Sequence, residues 1–341
     1  MSKYRKIAEN ISVNEESLSK FKNLECAIFD CDGTLVDVNN SYNACIKKTV
    51  GFMLERLIGG KQWYDLVSDE LILKFRMSGG FNNDTDTSYS CIVSALASGS
   101  KDAETARNFA LHVASKANYQ GIRSVEDYIS KAGNSDAVKK SKNDLNYPGP
   151  VGMSILSTVF DEFFYGKELF LKMHRMQPRF NNSHGFIDGD IVVISDDTVH
   201  DLSKLFKKKM AIVSGRSRLA TEYSLKNMLH NFNLDACVFL EDEEKEVIAN
   251  NLNIKVNKPE PYALLKAMKA LDAKSAISVG DSAEDIIMSR KVGEKYPTIF
   301  CGVYGTGIDS DAQYQMFVDK DADAIIENVN LLPMLLNSIM K

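Results

Sequence analysis

Six short apolar runs do most to limit what this chain can fold into. They lie at residues 24–29, 210–213, 236–240, 276–279, 298–303 and 322–326. Near-continuous apolarity over strand length suits a sheet covered on both faces. Helical patterns separate the later runs. Leu264, Met268 and Leu271 share one helix face, and Pro259 and Pro261 mark that helix's start. Strand and helix alternating from about residue 192 onward implies parallel βαβ units and an α/β domain.

The first run stands apart, because the next convincing strand lies beyond residue 190. The interval reads as helical. Ala106, Phe109, Ala110 and Val113 fall at i, i+3, i+4 and i+7, and Met153, Leu156, Phe160 and Phe163 share a face. Ser124 to Asp127 has the form of a capping box before Tyr128 and Ile129. A polar stretch, 133–149, divides the region and runs into Tyr147-Pro148-Gly149-Pro150, a loop by composition. The expected fold is therefore α/β, a Rossmann-like parallel-sheet core with an inserted α-helical cap domain. Residues 21–37 and 190–341 form the core, and 38–189 form the cap. Residues 1–20 are an N-terminal extension, with a short helix expected behind Ser12 and Glu15 and Glu16 in its first turn.

Composition narrows the function classes. With 341 residues, 44% of them hydrophobic and 26% charged, the chain is long enough for two globular domains. A net charge of −5 argues against a nucleic-acid binder that relies on a basic surface. No stretch reaches the ~18–20 continuous apolar residues of a membrane helix, and the polar N-terminus has no apolar block behind it. Neither a membrane partner nor a signal peptide is expected, and the expected location is cytoplasmic. The 6 cysteines form no CxxC and have no histidine at ligand spacing, so buried reduced thiols are expected rather than zinc or disulfides.

The first run ends in Asp30-Cys31-Asp32-Gly33-Thr34. Residues two apart on a strand share a side, so Asp30 and Asp32 can face one space at a strand's carboxyl end, where open α/β sheets bind ligands. Two carboxylates there repel unless a cation compensates them. Three further stations fit the same edge. Ser214-Gly215 offers a hydroxyl and backbone N–H groups at a strand end, an anion site by geometry. Asn257-Lys258-Pro259 supplies an ammonium just before a helix. Asp281 at a strand tip and Asp285 in the following helical turn can support a hard cation through oxygen.

In this order, Asp-x-Asp-Gly-Thr, Ser-Gly, Lys-Pro and Gly-Asp-x-x-x-Asp resembles the four motifs of the haloacid-dehalogenase superfamily of hydrolases. The resemblance covers about 21–50 and 190–330, including 302–307 after the fifth strand. Residues 321–326 and the large insertion resemble the phosphoglycolate-phosphatase-like branch with its helical cap. It implies Asp30 as nucleophile, Asp32 as general acid and base, and Ser214 and Lys258 as catalytic phosphate partners. Gly33, Thr34 and Gly215 would line the phosphate. Mg²⁺ is the implied cofactor, held by Asp30, the Asp32 carbonyl and Asp281, with Asp285 supporting the metal or Lys258. The chemistry agrees, since phosphoryl transfer needs placement and charge neutralisation above all. Dehalogenation is disfavoured, because a halide leaves without a proton and the family's dehalogenases lack the second acid, present here as Asp32.

The expected function is a Mg²⁺-dependent phosphatase acting on a small phosphomonoester metabolite through an aspartyl-phosphate. A phosphomutase of the same fold is the nearest alternative, and a non-catalytic phosphate-ligand-binding protein is an alternative of another class. In the cap, Arg76, Asn82 and Asn83 lie in a stretch with two glycines and a dense polar cluster. They are candidates for substrate contact, against the plainer reading of a helix cap. Asn39, Asn40 and Tyr42 are candidates by position alone.

Overall fold

The computed structural model describes residues 3–81, 83–307 and 309–340. The chain divides into two compact units, Met1–Val38 with Asp190–Lys341, and Asn39–Gly189.

The first unit is built on an 8-stranded sheet. Its strands, with one further pair, are β1 (Tyr4–Ala8), β2 (Ile11–Asn14), β3 (Cys26–Phe29), β4 (Val36–Asp37), β5 (Ile191–Val192), β6 (Met210–Ser214), β7 (Val238–Phe239), β8 (Ala276–Gly280), β9 (Thr298–Val303) and β10 (Ala324–Ile326). The sheet order is β1-β2-β10-β9-β8-β3-β6-β7, while β4 and β5 pair separately as an antiparallel ribbon. From β10 through β7 every pairing is parallel. This is the Rossmann-like arrangement expected from the apolar runs.

Alternation along the strands assigns their two faces. Ile299, Cys301 and Val303 of β9 join the main core with Ala324 and Ile326 of β10. Phe300 and Ile325 point the other way and pack with Ile286 and Phe317. The helix Tyr262–Ala270 adds Ala263, Leu264, Ala267 and Met268 to the main core. Local chemistry starts the flanking helices. Ser195 accepts from Thr198 N ahead of Asp196–Leu205, and Ser217 accepts from Ala220 N ahead of Arg218–Leu225.

The N-terminal segment differs from expectation. A 3-10 helix does carry Glu15 and Glu16 in its first turn, capped by Asn14. Ahead of it, however, the chain forms β1 and β2, and β2 runs antiparallel to β10 with Val13 opposite Ala324. β1 pairs with β2, and β2 joins the sheet through a partner more than 300 positions away, which a local reading cannot weigh. The strands β4 and β5 likewise pair across the whole intervening helical segment, which no local pattern reveals.

The second unit is helical. Its α-helices are Asn39–Ile58, Asp69–Met77, Asp84–Ser98, Ala103–Ala114, Ile122–Ile129, Ser135–Leu145 and Ile155–His174. Ala106, Ala110 and Val113 are buried as their spacing requires. Three local readings are corrected. Ser124 lies inside a helix that begins at Ile122 behind Gly121, so it caps nothing, and its hydroxyl donates to Gly121 O at 2.6 Å. Much of the polar stretch is helix, with Val138, Ser141 and Leu145 turned inward from an otherwise exposed face. Met153 precedes its helix, which Ser154 caps, and is 74% exposed. Buried Glu162 accepts backbone N–H groups from Arg179, Phe180 and Asn181 and so ties that loop to the long helix. Among the described residues no helix is long and apolar enough to cross a membrane. All 6 cysteines are buried and free.

Candidate active site

From β3, the strands β6 and β7 extend in one direction and β8, β9 and β10 in the other. The order therefore reverses between β3 and β8, and ligands of open α/β sheets bind at the carboxyl edge of such a switch point. Phe29 is in register with Val279, and Asp30 N donates to Val279 O at 2.8 Å. This register brings Asp30 and Asp281 out of the sheet side by side.

The loop after β3 is held by its own backbone. Leu35 N and Val36 N donate to Cys31 O, and Gly33 N donates to Val36 O. Gly33 has φ +74°, and a Cβ there would overlap the Asp281 carboxylate. Glycine is needed at this position for both conformation and space. The Thr306 hydroxyl donates to Gly33 O, and Gln313 Nε2 donates to Asp281 O at 2.6 Å. Thr34 is fully buried, and its hydroxyl oxygen makes no hydrogen bond within the described protein.

Lys258 reaches this edge from the segment before the helix Tyr262–Ala270. Its Nζ lies 2.8 Å from Asp30 Oδ1 and 2.7 Å from Asp285 Oδ1. The other oxygen of Asp285 accepts from the hydroxyl and N–H of Ser282, at 2.6 and 3.2 Å, completing a capping box for Ala283–Gly293. Asp285 thus holds Lys258 and begins a helix at once.

Carboxylate oxygens of Asp30, Asp281 and Asp285 all lie within 4.8 Å of one another. Three carboxylates against one ammonium leave two negative charges in a largely buried place. Burial pushes the Asp30 carboxyl up to about 7, the Lys258 ammonium opposes that, and the Asp285 and Asp32 carboxylates add to it. Burial, then the charges of Asp30 and Asp285, hold Asp281 well above the usual carboxylate range. Burial would lower the Lys258 ammonium, but Asp285 and Asp30 together raise it. An all-oxygen donor set with this excess negative charge fits a hard divalent cation.

Asp32 stands outside that cluster. Its Oδ1 pairs with Arg216 Nε at 3.0 Å. Arg216 Nη1 lies 3.0 Å from Asp190 Oδ2 and donates to Ser224 Oγ at 3.0 Å, and the Ser224 hydroxyl donates to Asp190 Oδ2 at 2.6 Å. Ser214, at the tip of β6, is fully buried and accepts from Arg216 N at 3.3 Å, while Gly215 is exposed. Arg216 directly follows the Ser-Gly motif, but no spacing marks its partner Asp190, 26 positions earlier.

A family model described as haloacid dehalogenase-like hydrolase matches residues 24–293. The chain belongs to the haloacid dehalogenase-like hydrolases. Pyrophosphatase PpaX of Bacillus anthracis is 29% identical over 154 residues, which is 43% of this chain and 64% of that protein. This chain thus spans less than two thirds of that relative's length. Among solved structures, the phosphatase Tt82 from Thermococcus thioreducens matches this hydrolase with a TM-score of 0.55 and 20% identity, covering 86% of this chain and 98% of that one. A crystal structure from the Northeast Structural Genomics Consortium matches with a TM-score of 0.64 and 16% identity, covering 93% and 99%. At these identities the two likenesses show the fold.

The remaining candidates of this haloacid dehalogenase-like chain lie in the helical unit. Arg76 Nη2 pairs with Asp84 Oδ1 at 2.9 Å. The Asn83 side chain accepts from Thr85 N at 2.8 Å and caps Asp84–Ser98. Both have partners within their own unit. Asn82 lies outside the described residues. Tyr42 stacks on Phe164 with ring centroids 4.2 Å apart.

Proposed function

We propose that this chain is a Mg²⁺-dependent phosphatase that hydrolyses a small phosphomonoester through an aspartyl-phosphate on Asp30. The observation that carries the reading is the Lys258 ammonium set between Asp30 and Asp285, beside Asp281, at the switch point of the sheet.

Asp30 Oδ attacks phosphorus as the ester P–O bond breaks, and the departing oxygen takes a proton from Asp32. Asp32 then accepts a proton from water as its oxygen attacks phosphorus, which frees the Asp30 carboxylate. Lys258 holds Asp30 in place and offsets negative charge on the phosphoryl oxygens. Ser214 and the N–H of Gly215 receive those oxygens, since the N–H groups of Gly33 and Thr34 already donate to Val36 O and Cys31 O inside the loop. Asp30, the Asp32 carbonyl and Asp281 would hold Mg²⁺, with Asp285 serving through Lys258. When bound, the ion supplies neutralisation of phosphoryl charge.

The test is release of inorganic phosphate from a panel of phosphomonoesters, with inorganic pyrophosphate included because the PpaX relatives are named pyrophosphatases. Wild type is compared with Asp30→Asn, after chelation and after Mg²⁺ is restored. Equal release by both proteins overturns the reading. Isomer formation from a hexose 1-phosphate without phosphate release identifies a mutase instead, and binding without turnover identifies the non-catalytic alternative.

A further inference from the structure

We infer that Arg216, anchored by Asp190 and Ser224, is a positioning residue that sets the orientation of Asp32 for proton transfer. The inference rests on Asp32 being the acid and base of the proposed reaction.

Arg216 is an unusual residue to find in such a place. Its side chain is 1% exposed, and arginine is almost never fully buried unless paired. Here it has two carboxylates. Nε lies 3.0 Å from Asp32 Oδ1, an ion-pair contact rather than an aligned hydrogen bond, and Nη1 donates to Asp190 Oδ2 at the same distance. Asp190 is itself 3% exposed. The Ser224 hydroxyl closes the set by donating to Asp190 Oδ2 while accepting from Arg216 Nη1. The three residues come from different parts of the first unit. Asp190 precedes β5, Ser224 lies in the helix Arg218–Leu225, and Arg216 follows β6. A rigid planar guanidinium fixed at one edge by these anchors presents its Nε in one direction.

The consequence falls on Asp32. Its Oδ1 is buried against Arg216, although the side chain as a whole is 28% exposed. With Oδ1 against Arg216, Oδ2 is the oxygen that would give its proton to a departing alkoxide. Asp32 lies in a loop just past a strand, where its side chain would otherwise have rotamers to choose from. Holding one oxygen selects among them, and a small misplacement of a catalytic group costs about a hundredfold in rate.

The proton counts only when the leaving group needs it, and this provides the readout. In the first step the bond from phosphorus to the leaving oxygen breaks, and that oxygen's electron pair takes the Asp32 proton while the Asp30 oxygen bonds to phosphorus. Phenolate leaves poorly without the proton, whereas 2,4-dinitrophenolate needs none. The two probes are therefore phenyl phosphate and 2,4-dinitrophenyl phosphate, each with Mg²⁺, and kcat/KM reports the first step for both.

Asp32→Asn establishes the reference. It should lower kcat/KM for phenyl phosphate by roughly a hundredfold or more and change the dinitrophenyl ester by no more than about threefold. Failure of that pattern overturns the role of Asp32, and the inference with it. Arg216→Lys keeps the charge but cannot reach Asp32 and both anchors together. The expected result is a fall of about 10- to 100-fold for phenyl phosphate, little change for the dinitrophenyl ester, and no further selective loss when combined with Asp32→Asn. An equal fall for both esters, with Asp32→Asn still selective, makes Arg216 a structural support and overturns the inference alone. Ser224→Ala alters no charge and replaces Arg216→Lys if that variant does not fold. It should show the same selectivity at smaller size, and equal or absent effects on the two esters overturn the inference.

Discussion

Lys258 Nζ and Asp30 Oδ1 stand 2.8 Å apart, and the same ammonium lies 2.7 Å from Asp285 Oδ1. One cation thus joins a strand tip to the first turn of a helix that starts more than 250 positions later in the chain. Both carboxylates and the ammonium are largely buried, so removing the ammonium is costly, whereas either carboxylate can be lost with the other still paired to it.

Replacing Asp30 with asparagine should abolish phosphate release, with a loss of at least about a thousandfold, because an amide cannot form the acyl phosphate. Folding should survive. Burial and neighbouring carboxylates oppose the charge of Asp30, and Lys258 keeps Asp285 as a partner. A melting temperature equal to or above that of wild type, measured beside the rate, checks both parts.

Replacing Lys258 with methionine should cost stability as well as activity. It leaves Asp30, Asp281 and Asp285 without their ammonium, and removing one partner of a buried pair costs about 3–5 kcal/mol. Urea unfolding of the metal-free protein measures it. The double variant with Asp285→Asn should recover part of the stability and none of the activity.

Mg²⁺ should raise the melting temperature of wild type in the absence of substrate. At a concentration about 100 times its Kd, one bound ion adds roughly 2.7 kcal/mol. Asp281→Asn should lose most of this shift. Exhaustive chelation should stop turnover, and Ca²⁺ should inhibit, since it takes 6–8 ligands at longer distances than Mg²⁺ tolerates. Full activity after chelation contradicts the assignment.

The helical unit should carry a pH signature at Asp86. Burial raises its carboxyl above the ordinary value, against an opposing hydrogen bond donated by the Tyr147 hydroxyl. A carboxyl that is raised in the folded state binds its proton more tightly there than when unfolded. Its contribution is therefore most favourable below the unfolded pKa of about 3.9 and is lost as pH rises through the folded value. Asp86→Asn should relieve that penalty at neutral pH, since the amide oxygen still accepts from Tyr147. The stability difference between variant and wild type should close in acid, and a difference that does not vary with pH contradicts this.

Asn83→Ala should destabilise the protein by about 0.5–2 kcal/mol through loss of the cap on Asp84–Ser98. Its kcat/KM for a good metabolite and for p-nitrophenyl phosphate should change by the same factor. A shift in the ratio assigns substrate contact to Asn83 in addition to capping.

The parts of this protein that were legible in its sequence depend on local chemistry. The runs at 210–213, 276–279 and 298–303 became β6, β8 and β9 because their residues are buried on both faces, and such strands read as continuous apolarity. Asp30, Lys258, Asp281 and Asp285 could be singled out because each follows a strand or opens a helix, and turn and cap residues are chosen by nearby backbone. The rest depends on partners distant in sequence. β1 and β2 are short and partly polar, and they join the sheet only because β10 lies beside β2. The helix Ser135–Leu145 turns three residues inward from a polar stretch, so its stability comes from what it packs against. Arg216 reads as an ordinary residue after Ser-Gly until folding brings Asp190 and Ser224 to it. Strand tips and caps are encoded within a few residues, whereas an edge strand, a packed polar helix or a buried ion pair is settled by neighbours that only the tertiary structure supplies.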